Sequence, residues 1–118
     1  MKKLLVVPAL FVSSLLWAQD LTTVQSGEKV IVDNDKIKVV EFTSNPLGDV
    51  CGKGMHHHEP HLAILITDAK AKVTAANGES HKVTVPSGAS FWIGDEETHS
   101  AINTGTQPTK MILVYLKE

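Results

Sequence analysis

"GASFWIGDEETHSAIN", residues Gly88 to Asn103, holds two short runs of strand-forming residues split by an acidic bend. Phe91-Trp92-Ile93 is aromatic and β-branched, a composition that fits a pleated, half-buried surface. Gly94-Asp95-Glu96-Glu97 interrupts it, and Thr98 to Asn103 resumes as a second strand with His99 near its start. Phe91 and Trp92 alternate, so one of them is expected in the core.

The same texture extends in both directions. Downstream, "NTGTQPT" is a turn and "KMILVYLK" (Lys110 to Lys117) a closing strand. Upstream, "PSGAS" is a tight turn in which Pro86 fixes φ and Gly88 supplies the permissive position. "AKVTAANGESHKVTV" (Ala71 to Val85) reads as a hairpin; its Asn77-Gly78 pair is the dipeptide favoured in type I′ turns. "LAILIT" (Leu62 to Thr67) is apolar at five consecutive positions, so it should be covered on both faces, by the core and by a second sheet or another subunit. Before it come a Gly-rich loop, "NPLGDVCGKG" (Asn45 to Gly54), and the strands "KIKVVEFTS" (Lys36 to Ser44) and "KVIVD" (Lys29 to Asp33). Eight or so short strands without a helical period predict an all-β sandwich or small barrel. There are no repeats, linkers or low-complexity tracts.

"MHHHEPH" (Met55 to His61) packs four of the six histidines into seven positions. A helix would set His57 and His61 at the spacing of zinc proteases, but those need Glu straight after the first His, and Pro60 breaks a helix here. On a strand, residues i and i+2 share a face, so His56 and His58 point together and His57 points away. Glu59-Pro60 forms a kink that re-aims His61. Neutral imidazoles gathered in this way suit a divalent first-row ion.

The region from His56 to Asn103 resembles the two motifs of the cupin superfamily. The first motif runs H-x-H, three or four residues, Glu, six residues, Gly; His56 and His58 fit its start, and His61 stands where the Glu belongs. The second runs Gly, five residues, P-x-G, two residues, His, three residues, Asn; Gly88, His99 and Asn103 match it at the expected spacing. Gly94 and Glu96 replace the Pro and Gly of P-x-G, and Asp68 replaces the Gly that ends the first motif. The resemblance implies a small double-stranded β-helix (jelly-roll) barrel as a single domain over residues 19–118. It also implies that His56, His58, His61 and His99 converge on a divalent transition metal (Mn, Fe, Ni, Cu or Zn).

The N-terminus reads as a cleaved secretory signal. Lys2 and Lys3 precede an apolar run from Leu4 to Leu16, with a passable cleavage site at Leu16-Trp17-Ala18. The run is short for a span, which takes about 20 residues. Residues 1–18 are thus expected to be removed, giving an exported, periplasmic or secreted chain with no lasting membrane insertion. The lone Cys51 cannot form an intramolecular disulfide, and reads as an unpaired, partly buried thiol rather than a redox-active or metal-proximal one. Formal charge is −2 with both signs interspersed, so no nucleic-acid surface is expected.

Four neutral imidazoles would leave the ion's charge uncompensated, strengthening it as a Lewis acid and favouring an anionic substrate. The leading expectation is a metal-dependent, dioxygenase- or oxidase-type enzyme acting on a small molecule, with Glu97 as its general base. The competing expectation is a barrel that binds a small molecule or metal without turnover. Apolar strand faces at Leu62–Thr67 and Lys110–Lys117 predict a homodimer.

Overall fold

The computed structural model describes residues 24–118; the expected signal segment and the cleavage point lie outside the described residues. Nine strands follow one another: β1 (Gly27–Asp33), β2 (Ile37–Ser44), β3 (His56–His58), β4 (His61–Leu65), β5 (Ala69–Ala75), β6 (Ser80–Val85), β7 (Ser90–Ile93), β8 (Glu97–Asn103) and β9 (Thr109–Leu116). Among the described residues no helix is long and apolar enough to cross a membrane.

The strands form two antiparallel sheets, ordered β1-β2-β9-β4-β7 and β3-β8-β5-β6. Period-2 alternation turns one face of each inward: Val40, Phe42, Ala63, Leu65 and Leu113 from the first sheet meet Ala71 and Ala101 from the second. The second sheet contributes mostly alanine. Its side chains cannot fill the space between the layers, and an interior cavity of about 290 Å3 remains.

The strand at "LAILIT" has the core on one face, where Ala63 and Leu65 are buried; on the other, Leu62 and Ile64 are half-buried and Ile66 is exposed among the described residues. Two expectations are corrected. The Asn77-Gly78 turn is not type I′, because Asn77 does not have positive φ; Gly78 does, at 93°. Gly78 N–H donates to Ala75 O and Ala75 N–H to Glu79 O, the pattern of a type I turn closed by a left-handed glycine bulge. Neither Phe91 nor Trp92 packs in the core, at 41% and 55% exposure. β7 is an edge strand, and among the described residues no strand pairs with its outer side.

The loop between β2 and β3 is more ordered than its glycines suggest. Asn45-Pro46-Leu47-Gly48 is a turn closed by Gly48 N–H to Asn45 O at 2.9 Å, with Leu47 at a φ of 69°. The chain then runs beside β8. Leu47 N–H donates to Asn103 O, Asn103 N–H to Gly48 O and Val50 N–H to Ala101 O, and Asp49 bridges Ile102. Asn103 itself is fully buried. Its Nδ2 donates to Gln107 O and its Oδ1 accepts from Gly105 N–H, both at 2.9 Å, pinning the turn before β9.

Candidate metal centre

Strand pairing assembles the centre. β3 runs antiparallel to β8 with His56 opposite His99 and His57 opposite Thr98. Alternation then sends His56, His58 and His99 inward and leaves His57 outside, where Nε2–H donates to Glu96 at 2.9 Å and Nδ1 accepts from Thr98 at 3.0 Å. The stitched loop delivers Cys51, 7% exposed, to the same place.

Four donors converge: one ligand atom each from Cys51, His56, His58 and His99, all within 4.8 Å of one another. His56 Nε2 lies 2.7 Å from His58 Nε2, and Cys51 Sγ lies 3.6 Å from Nε2 of both His56 and His99. The far sides of two of the rings are hydrogen-bonded, and a carboxylate lies near the third. His56 Nδ1–H donates to Gly54 O at 2.7 Å, His58 Nδ1 shares a 2.8 Å bond with the Tyr115 hydroxyl, and His99 Nδ1 lies 3.7 Å from Glu97 Oε1. A neutral imidazole with its proton fixed at Nδ1 presents a lone pair at Nε2, which is how metal-binding histidines are usually oriented.

This donor set fits a first-row divalent ion. Bonds of 2.0–2.1 Å to nitrogen and about 2.3 Å to sulfur place tetrahedral ligand atoms roughly 3.5 Å apart, the scale of the distances here. The 2.7 Å approach of two Nε2 atoms needs a proton between them or a cation beside them, since facing lone pairs repel. Without a cation, His56 keeps its proton at Nδ1, so His58 carries Nε2–H and accepts from Tyr115 at Nδ1. With a cation, His58 takes the other tautomer and Tyr115 becomes the acceptor.

The site disfavours protonation of two of its histidines and favours that of its thiol. Burial, then the neighbouring His56, His99 and His61, push His58 down to about 3. Burial lowers His99 as well, against the opposing pull of Glu97. Burial, reinforced by Glu97 and Asp49, pushes the Cys51 thiol up to about 12, and burial likewise raises the Tyr115 phenol to about 12. At neutral pH His58 and His99 are therefore ready to bind a metal.

Of the residues expected at the metal, His56, His58 and His99 come together and His61 stands one ring further out. His61 is buried on β4, with Nδ1–H donating to Glu59 O at 2.7 Å and its ring centroid 5.1 Å from His58 and 5.3 Å from Tyr115. It lines the interior cavity together with His58 and His99. Glu97 opens β8 two residues before His99 and so shares its inward face, while Glu96 pairs outside with His57. Sequence reasoning ranked Cys51 as a bystander and did not weigh Tyr115. The available signal was a cysteine between glycine-rich turns, five residues before an H-x-H strand.

No protein-family model matches the chain. No curated protein matches it either. Solved structures do. A cupin domain from Bordetella pertussis is similar at 20% identity and a TM-score of 0.71, over 83% of this chain and 99% of that one. A cupin with a double-stranded β-helix fold from Methanocaldococcus jannaschii is similar at 12% identity and 0.57, over 79% and 81%. The polyketide cyclase RemF from Streptomyces resistomycificus is similar at 20% and 0.56, over 77% and 64%. Two antiparallel sheets, an alanine-lined interior and these likenesses together show that the chain has the cupin fold, the double-stranded β-helix.

Proposed function

We propose that the protein is an exported, metal-dependent enzyme that oxidises a small anionic molecule with O2 in the interior of the barrel. The observation that carries this reading is the convergence of three imidazole Nε2 atoms, two of them on rings whose opposite nitrogens are bonded to Gly54 O and the Tyr115 hydroxyl. A bound divalent ion would supply Lewis acidity and, if redox-active, electron exchange with O2.

The chain's own residues do the rest. His56, His58 and His99 hold the ion as neutral donors, and the positive charge they leave uncompensated attracts an anion. The cavity wall of Ala63, Ala71, Ala101, Leu65 and Leu113 excludes water and limits the substrate to a small molecule. His61 adds an imidazole at the cavity wall; its Nδ1–H is taken up by Glu59 O, which leaves Nε2 as the nitrogen to meet substrate. Glu97, half-exposed on the face that carries His99, is the proposed general base.

The test is elemental analysis of protein recovered from its native compartment, followed by O2 uptake with small carboxylates and phenolates. Iron, manganese, nickel or copper at one ion per chain, with substrate-dependent uptake abolished by His99→Ala, supports the reading. Firmly held zinc with no O2 consumption for any anion refutes it in favour of a binding barrel.

A further inference from the structure

We infer that Cys51 is the fourth protein ligand of the metal centre, bound as a thiolate in place of the carboxylate that the histidine-rich motif lacks. The inference rests on the metal-centre reading above and specifies its donor set as three nitrogens and one sulfur.

Geometry singles out Cys51 over His61. Cys51 Sγ sits 3.6 Å from two of the three converging Nε2 atoms, and all four donor atoms fall in one 4.8 Å group that does not include His61. The backbone around Cys51 is built for this position. Val50 N–H donates to Ala101 O at 2.9 Å and Asp49 bridges Ile102, so the loop rides β8 as a short added strand and presents Cys51 beside His99. Gly52 follows at a φ of 150°, and a Cβ there would sit 2.9 Å from the His56 ring. The loop thus presses directly on the imidazole, an approach that only glycine permits. A cysteine in an incidental core position would not need that contact.

Coordination deprotonates the thiol: the S–H bond breaks, its electron pair forms the metal–sulfur bond, and the proton leaves to solvent. No oxidant is required. One thiolate reduces the charge of the centre from two to one, which is the effect the missing carboxylate would have had. It also narrows the choice of ion. Sulfur favours zinc, copper, cobalt or iron over manganese, which prefers oxygen donors.

The experiment uses the full mature chain loaded with zinc for X-ray absorption and with cobalt(II) for optical spectroscopy. One sulfur scatterer at about 2.3 Å beside nitrogen at about 2.0–2.1 Å is expected, with a sulfur-to-cobalt charge-transfer band in the near ultraviolet. Cys51→Ser should remove the band and the sulfur shell while circular dichroism stays unchanged. It should weaken zinc binding by more than about 100-fold, the upper limit for losing a ligand's supporting partner. His61→Ala should keep both signals. A nitrogen-only shell in loaded wild-type protein overturns the inference and leaves the metal centre standing. Wild-type protein that takes up no zinc or cobalt overturns both.

Discussion

Tyr115 decides which nitrogen of His58 carries the proton. Its hydroxyl, 2.8 Å from Nδ1, can donate or accept, so it matches either tautomer and steadies the ring of one of the four converging donors. Tyr115→Phe should leave the fold intact and weaken metal binding by about 10- to 100-fold, read by competition with a chelator. Buried neutral His58 has a second consequence in chelator-treated protein. Its folded value of about 3 lies below the ordinary 6.5, so between those limits the unfolded chain binds the extra proton. Stability is then full above about pH 6.5 and falls as pH drops towards 3, by up to about 1.4 kcal/mol per unit. Denaturant midpoints that are flat from neutral pH to about pH 4 would contradict this. At this scale the shared face of His56 and His58 was legible from period-2 alternation, and His99 from its likeness to the second cupin motif, whereas His61, expected beside them, lies outside the converging group. Cys51 and Tyr115 were not legible, because a side chain's meeting with another that is distant in sequence depends on register, and register is a property of paired strands.

The loop of residues 45–54 shows where pattern reading stops and backbone geometry takes over. Glycine and proline marked it as a loop, yet the seam of hydrogen bonds to β8 makes it part of the second sheet's edge. Gly52→Ala should drive a methyl group into the His56 ring at a strained φ. We expect a loss of about 1–3 kcal/mol in thermal or denaturant unfolding, together with weaker metal binding. Gly54→Ala is the contrast: φ is 58° and nothing lies within 4 Å, so stability falls by about 1 kcal/mol with little change in metal affinity. Leu47 occupies the third position of a turn that asks for positive φ, and it is 82% exposed. Leu47→Gly should therefore raise stability by about 0.5–1 kcal/mol; a lower midpoint would mean that the leucine makes a contact outside the single chain. The hairpin at Asn77-Gly78 teaches the same lesson. The dipeptide correctly marked a reversal, but the loop's length, and with it the turn type, was decided by the register of β5 with β6.

Across the whole molecule, the all-β class followed from the spacing of strand-forming runs, and the double-stranded β-helix from the resemblance of residues 56–103; the order of strands within each sheet did not. The apolar excess of "LAILIT" did not resolve within one chain. On the outer face of the five-stranded sheet, Val39, Val114, Leu62 and Trp92 lie in register across four strands, with Ile64 beside Ile112. None of them is buried. Such a stripe supports self-association, so light scattering at micromolar concentration should give a homodimer, and Val114→Glu should halve the mass without unfolding the chain. A wild-type monomer would end that expectation. The centre is mounted unevenly on this framework. All four converging donors belong to the four-stranded sheet and its stitched loop, while His61 and Tyr115 reach across from the other. The two layers can therefore part slightly without dispersing the donors. Breathing of the barrel would then set how fast an ion or substrate enters and leaves, and each opening would also loosen the Tyr115 bond that steadies His58. The donors stay grouped on one sheet while the support for one of them comes from the other.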